Sequence, residues 1–358
     1  MPSERKSVLV AMSGGVDSSV AAALLQRQGW DVTGVFMCLG LGGADLATTG
    51  CCSPEDAADA RRVANTLGID MHVLNLSEQF VPIIDTFVDE YRSGRTPNPC
   101  ILCNARVKFG RLVDLASLLG IDRVATGHYA RIETIDSQAA LLRGADFHKD
   151  QSYALFAVSR DVLGRMVLPI GRESDKQAVR AIARQLGLDI HDKPDSQEIC
   201  FAPDDDYIEL LRQRAPEALQ PGEIVDTEGN VLGHHDGYAR FTIGQRRGLG
   251  VAAGVPMYVV DIDPRTARVT IASRAESMGR HLVASGCNWL TDVPDRFEAT
   301  VQVRYNHRGV PGRVERTGDD SFRVELSEPV HAITPGQAAV LYDGPRLLGG
   351  GWIRQGRR

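Results

Sequence analysis

Three serines, two glycines and an aspartate are packed into Ser13-Gly14-Gly15-Val16-Asp17-Ser18-Ser19. An apolar β-branched run, Val8-Leu9-Val10, precedes them, and Val20-Ala21-Ala22-Ala23-Leu24-Leu25 follows, with a breaker at Gly29. The order strand, tight loop, helix makes a cradle for an anion. Backbone N–H groups at Gly14 and Gly15 reach a phosphate with no Cβ in the way. Ser13, Ser18 and Ser19 add hydroxyl donors, and the helix N-terminus adds partial positive charge. No Gly-Lys-Ser/Thr follows, so a Walker A kinase or GTPase loses its main support.

Sulfur is the second reactive set. Thr96-Pro97-Asn98-Pro99-Cys100-Ile101-Leu102-Cys103-Asn104 puts a Cys-x-x-Cys just before an expected helix over residues 106–119. A helix dipole favours a thiolate there, with Cys103 the better placed of the two. Another thiol, Cys200, lies in Asp195-Ser196-Gln197-Glu198-Ile199-Cys200-Phe201. Cys38, Cys287 and the Cys51-Cys52 pair read as small buried hydrophobes. A four-thiolate zinc set from Cys51, Cys52, Cys100 and Cys103 would need an adjacent pair, a poor chelating spacing, and we read no metal site. A thioredoxin-like role lacks the aromatic-Cys-Gly-Pro-Cys setting. Seven cysteines in no even framework fit reduced thiols.

These residues need a sheet to hold them. After the loop, residues 32–37 read as a second buried strand, 54–67 as a helix stopped by Gly68, 72–76 as a third strand, and 123–129 as a further strand with its exit loop. Helices over 174–186 and 207–214 follow. Strands alternating with helices make an α/β domain with a parallel sheet, and ligands on such sheets bind at the carboxyl ends of the strands. From about residue 220 alternation takes over, with a hairpin turning on Asp263-Pro264-Arg265-Thr266 and short strands near 297–304, 312–316, 322–326 and 338–341. The expected organisation is an N-terminal α/β nucleotide-binding and catalytic domain (1–205), a small β-rich central domain (206–280) and a C-terminal β-barrel (281–358). At 358 residues and 43% hydrophobic, the chain is long enough for several cores.

The net charge of −6 argues against gripping nucleic acid by bulk charge, though the acidic excess sits in the first domain and leaves room for a local basic face further on. No apolar run approaches the roughly 20 residues that span a bilayer, and Met1 to Lys6 lack a signal-peptide core, so the expectation is a cytoplasmic protein with no membrane partner.

Ser-Gly-Gly-Val-Asp-Ser resembles the pyrophosphate loop of the ATP pyrophosphatase superfamily, whose members cut ATP between the α and β phosphates and adenylate an oxygen. Taken with Thr96-Pro97-Asn98-Pro99, Cys103-Asn104, Ala125-Thr126-Gly127-His128-Tyr129, Lys149-Asp150-Gln151-Ser152-Tyr153 and Ile199-Cys200-Phe201, it is similar to the bacterial tRNA-specific 2-thiouridylases. The likeness continues through Thr242-Ile243-Gly244-Gln245-Arg246-Arg247-Gly248, Val303-Arg304-Tyr305 and Pro335-Gly336-Gln337-Ala338. It implies exchange of oxygen for sulfur at the wobble uridine of certain tRNAs, with the anticodon stem-loop as substrate. It further implies that Ala11, Met12, Ser13, Gly14, Gly15, Val16, Asp17 and Ser18, with Met37 and Gly127, hold ATP. Asn98, Pro99 and Cys100 would meet the target base, and His128, Lys149, Asp150, Gln151, Arg304, Tyr305 and Gln337 would touch the tRNA. Cys103 corresponds to the nucleophile and Cys200 to the persulfide carrier, positions also described in the family as able to form a disulfide.

The chemistry agrees with the residues. A uracil C2 oxygen is a poor leaving group until adenylated, and Mg²⁺ with the Gly-Ser loop would stabilise departing pyrophosphate. Sulfur would then arrive on Cys200 from a persulfide donor protein, a cysteine desulfurase or a relay. Some family members carry Asp where this chain has Cys100. Cys100, Cys103 and Cys200 together therefore also suit an iron–sulfur cluster, a route we rank second. A ligase of the same superfamily that adenylates a small metabolite explains the loop but leaves Cys103, Cys200 and the β domains idle. A non-catalytic tRNA- or metal-binding module is the remaining alternative.

Overall fold

A computed structural model describes residues 6–39, 53–195, 199–202 and 207–357. Cys51, Cys52 and residues 196–198 lie outside the described residues. The chain divides into two compact units, 1–82 with 100–205 and 345–347, and 83–99 with 206–344 and 348–358.

The first unit is built on five parallel strands: β1 (Ser7–Ala11), β2 (Asp31–Cys38), β3 (Met71–Asn75), β4 (Arg123–Ala125) and β7 (Met166–Val167), in the order β3-β2-β1-β4-β7. Between β4 and β7 the chain makes an antiparallel hairpin, β5 (Ala130–Ile135) and β6 (Gln138–Arg143). Val8, Leu9 and Val10 of β1 have no exposed surface, as expected for a central strand covered on both faces. The order runs outward from β1 through β2 to β3 and reverses at β4. The switch point, where such sheets bind ligands, therefore lies between the carboxyl ends of β1 and β4.

Helix α1 (Val16–Arg27) follows the loop after β1. Its Ala-rich interior packs Val20, Ala21, Ala22 and Leu25 into a core shared with Val8, Val10, Val32 and Phe36, and left-handed Gly29 closes its end. Helix α2 (Pro54–Leu67) starts with Ser53 as N-cap, its hydroxyl accepting from the Asp56 N–H at 3.0 Å, and stops at left-handed Gly68. Helix α3 (Ser77–Arg92), which the sequence reading did not propose, leads from the first unit into the second.

The helix expected over 106–119 begins earlier. Pro99 opens α4 (Pro99–Leu102), a π-helical segment occupies Cys103–Phe109, and α5 (Gly110–Leu118) completes the run. Proline suits a first helical position, where its missing N–H has no partner to lose. Both cysteines of the Cys-x-x-Cys are thus inside the helical run. Cys103, lying within the run, does not gain the helix-dipole effect expected of a residue that precedes it, and Cys100, one residue after Pro99, is the one near the N-terminus. Helices α6 (Arg160–Leu163) and α7 (Lys176–Gln185) finish this unit.

The second unit also holds α8 (Tyr207–Arg214) and a four-stranded sheet of β8 (Gly222–Val225), β9 (Val231–His235), β10 (Met257–Asp263) and β11 (Arg268–Ser273), ordered β10-β11-β8-β9. β10 and β11 form the expected hairpin around Pro264. The remaining strands are β12 (Met278–Trp289), β13 (Arg296–Gln302), β14 (Val310–Gly318), β15 (Ser321–His331), β16 (Ala338–Asp343) and β17 (Arg346–Arg357). They run β12-β15-β14-β13-β16-β17, and β12 pairs with β17, which closes the sheet into an antiparallel barrel. Val301, Val314, Phe322, Leu341 and Ile353 fill it. Among the described residues no helix is long and apolar enough to cross a membrane.

Candidate active site

The loop after β1 has little freedom. The Met12 N–H donates to the Val35 carbonyl at 2.8 Å, extending the ladder one residue past the strand. Gly14 then turns with φ +73°, a conformation that disfavours a side chain, and any Cβ on it would strike the Asp56 backbone. The Ser18 hydroxyl accepts from the Ser13 N–H at 3.1 Å and donates to the Gly15 carbonyl at 3.1 Å, while the Ser19 hydroxyl donates to the same carbonyl at 2.9 Å. Gly15 is the N-cap of α1 and supplies no side-chain cap, so the first turn keeps N–H groups for an anion. Across the switch point, Gly127 follows β4. A Cβ there would lie 2.6 Å from both the Asp17 carbonyl carbon and the Ser18 nitrogen. Only a glycine lets the exit of β4 approach the loop this closely. Met37, near the end of β2, is half-buried.

Asp17 is the hub of a chain of ion pairs. Lys176 Nζ meets both of its oxygens at 2.7 Å, and the Tyr129 hydroxyl donates to Oδ1 at 2.8 Å. Burial and the Asp17 charge push the Tyr129 phenol well above its ordinary range, so it remains a donor. Lys176 also pairs with Asp195 Oδ1 at 2.8 Å, and Asp195 Oδ2 takes Lys149 at 3.0 Å. Burial resists ionisation of Asp195, but hydrogen bonds from Lys176 and Lys149 outweigh it and hold the carboxyl below its usual value. On the other side of the loop, Lys193 Nζ reaches the Gly14 carbonyl at 3.1 Å, Asp56 Oδ1 at 2.6 Å and Asp59 Oδ2 at 2.5 Å.

The other residues proposed for the first unit divide by their partners. Gln151 braces Tyr129, its Oε1 accepting from the Tyr129 N–H at 2.9 Å. The Asp150 carboxylate, with its side chain 4% exposed, pairs with Arg143 and accepts from the Gly144 and Ser152 N–H groups and the Ser152 hydroxyl, so it orders its own loop. His128 Nδ1 is 2.6 Å from the Thr126 hydroxyl. Desolvation, then the charge of Lys108, pushes its pKa down to about 3, so its imidazole is neutral at physiological pH. Cys100 is exposed, Cys103 is 6% exposed and Cys200 is half-buried. Phe201 beside Cys200 packs edge-on against Phe80, ring centres 5.7 Å apart. Asn104 Nδ2 donates to the Ala154 carbonyl at 3.0 Å. Among the described residues no three His, Cys, Asp or Glu side chains gather as a metal-ligand set.

In the second unit two motifs about 240 residues apart in sequence meet. The Thr96 N–H donates to the Pro335 carbonyl at 3.2 Å, Gln337 Nε2 donates to the Thr96 carbonyl at 2.9 Å, and a Cβ on Gly336 would lie 2.8 Å from that same oxygen. Asn98 and Pro99 follow directly. Arg304 is half-buried, with Nη1 3.4 Å from the His331 carbonyl, and loss of water lowers its pKa. Tyr305 is 41% exposed. Gln302 Nε2 donates to the carbonyls of both, at 3.2 and 2.9 Å, and so fixes the turn that presents them.

Comparison with known proteins fits this geometry. Residues 6–204 match the tRNA methyl transferase HUP domain, 208–273 the tRNA methyl transferase PRC-barrel domain and 279–353 the aminomethyltransferase beta-barrel domain. The tRNA-specific 2-thiouridylase MnmA of Carboxydothermus hydrogenoformans is 51% identical, covering 98% of this chain and 98% of its own. The protein of the same name from Rhodopirellula baltica is 46% identical over 97% of this chain and 96% of its own. The chain belongs to the tRNA-specific 2-thiouridylase family. It is therefore a member of a sulfurtransferase enzyme family.

Within this site the sequence reading missed Lys176, Tyr129, Asp195 and Lys193. Lys176 carried a signal. It is the first residue of α7, just after the N-cap Asp175, where the helix dipole disfavours a cation, so another partner had to hold it there. Lys193 and Asp195 carried none, since a Lys-Pro-Asp run reads as a solvated turn.

Proposed function

We propose that the protein converts the wobble uridine of tRNA to 2-thiouridine at the expense of ATP. The observation that carries this reading is an anion-binding loop, at the switch point of a parallel sheet, in the same compact unit as Cys103 and Cys200. The three matched domain descriptions mention methyl transfer, whereas the relatives are named for thiolation. Two cysteines beside an ATP-type loop suit the second chemistry.

Ala11 to Ser18, with Met37 and Gly127, would hold ATP. The residues present fit the nucleotide, because Gly14 and Gly127 leave space that a Cβ would fill and α1 starts without a side-chain cap. Mg²⁺, when bound, would add charge against the phosphates, with Asp17 the carboxylate nearest the loop. The uridine O2 attacks the α-phosphorus, the bond to the β-phosphate oxygen breaks, and pyrophosphate leaves. The terminal sulfur of a Cys200 persulfide then attacks C2, and AMP departs with the original oxygen. Attack of the Cys103 thiolate on Cys200 Sγ breaks the S–S bond, leaving sulfur on C2 and a Cys103–Cys200 disulfide for a cellular dithiol to reduce. Asn98, Pro99 and Cys100 would face the base, which an anticodon loop presents unstacked. His128, Lys149 and Gln151 in one unit, and Arg304, Tyr305 and Gln337 in the other, would contact the tRNA. A cytoplasmic location and a persulfide-donating partner protein complete the reading.

Nucleoside mass analysis of tRNA incubated with the protein, Mg·ATP and a persulfide source tests it. The expected result is 2-thiouridine, with AMP and pyrophosphate formed only when tRNA is present. Pyrophosphate release with a small metabolite instead of tRNA would favour the ligase alternative.

A further inference from the structure

The contact between Lys193 and the nucleotide loop is not used by the chemistry above. A loop that binds an anion through backbone N–H groups must turn its carbonyls away from the anion, and a carbonyl turned into protein needs a donor. Gly14 is held at φ +73°, and a Cβ on it would meet the Asp56 backbone. Its carbonyl ends on Lys193 Nζ, 3.1 Å away. That ammonium is itself anchored by Asp56 and Asp59 at 2.6 and 2.5 Å, the latter carboxylate also engaging Arg62. Hydrogen bonds and the charges of the two carboxylates outweigh burial and raise the Lys193 pKa, so it stays charged. The two carboxylates take two of the three N–H donors of the ammonium, and the Gly14 carbonyl takes the third.

We propose that Lys193 is a positioning residue for ATP: it fixes the Gly14 carbonyl outward and thereby holds the N–H groups of the loop in their phosphate-binding direction. The two carboxylates of α2 set the ammonium, the ammonium sets the carbonyl, and the carbonyl sets the peptide planes of the loop. The proposal rests on the reading of this loop as an ATP site.

The test is Mg·ATP titration by calorimetry, with melting temperature and tRNA affinity measured alongside. Lys193→Met should weaken ATP binding about tenfold or more, as loss of a charge-assisted hydrogen bond would, and should also lower the melting temperature by stranding Asp56, since Asp59 keeps Arg62. The double variant Lys193→Met with Asp56→Asn removes the stranded charge. It should regain much of the melting temperature while ATP binding stays weak and tRNA affinity stays near the parent value. Parent-like ATP affinity in either variant would overturn the proposal, because Lys193 would then be only a counter-ion. Failure of the parent protein to bind Mg·ATP would instead remove the reading of the loop, and the proposal with it.

Discussion

The cations beside the anion-binding loop and the one at the Arg304–Tyr305 turn are held in opposite ways. In the parallel-sheet unit Lys176 is shared between Asp17 and Asp195, and Lys149 also pairs with Asp195, so each positive charge beside the loop has a built-in carboxylate. In the β unit Arg304 is half-buried, with no carboxylate partner among the described residues, and its neighbours His307 and His331 have lowered pKa values. A paired ammonium stays ordered and nearly neutral, and exchanges one anion for another when a phosphate arrives. An unpaired guanidinium keeps its net charge for whatever anion comes. Such local charge lets a chain of net charge −6 meet a polyanion.

The largest effect should come from Lys176→Met. Removing the ammonium takes from Asp17 its ion pair, while Asp195 keeps Lys149 and Arg180, so stability should fall by up to about 3 kcal/mol. Pyrophosphate release with tRNA should fall on the order of 100-fold, with Lys176→Arg between the two. A parent rate in Lys176→Met would break the comparison on the nucleotide side. Arg304→Ala should weaken tRNA binding about tenfold and reduce the salt dependence by about one unit of slope, with ATP affinity unchanged. Equal losses of both affinities would mean misfolding.

Smaller effects sharpen the contrast. Desolvation is the first cause of the lowered pKa values of His307 and His331, and the Arg304 charge comes next. Proton titrations of both imidazoles by NMR should therefore move upward in Arg304→Ala, while a paired cation removed at the same distance would leave them where they are. Smallest is the change at His128. Its folded-state pKa of about 3 lies below the unfolded value, so between these limits the unfolded chain holds the extra proton and stability falls as pH falls. His128→Gln should flatten that acid limb by up to about one proton and leave stability at pH 8 little changed; an unaltered limb would place an ordinary, solvated imidazole there.

Legibility followed how local the determinants were. The loop could be read because its glycines, its serines and the flanking apolar runs are contiguous, and the 257–271 hairpin because Asp263-Pro264-Arg265-Thr266 is its own turn. Helix α3 was passed over, with Pro82 in its interior. The β5–β6 hairpin was also missed, because its turn uses Asp136 and Ser137 at positive φ in place of glycine. The lysines of the loop were hidden for another reason. Lys176 and Lys193 reach it from 159 and 179 residues away in sequence, and no local pattern reports a contact that only tertiary folding creates.

The π segment at Cys103–Phe109 has a consequence for how the thiols are aimed. One π turn takes an extra residue compared with an α turn, and each residue in an α-helix advances about 100° around the axis. The part of the run bearing Cys100 and Cys103 is therefore out of phase with α5, whose Leu112 and Ala116 are locked into the core. Deleting one residue within 104–109 would restore an uninterrupted α spiral with the α5 face intact, yet would swing both sulfurs, together with buried Ile101, by roughly a quarter turn. The aim of the Cys100 and Cys103 thiols relative to α5 is set by a single inserted residue.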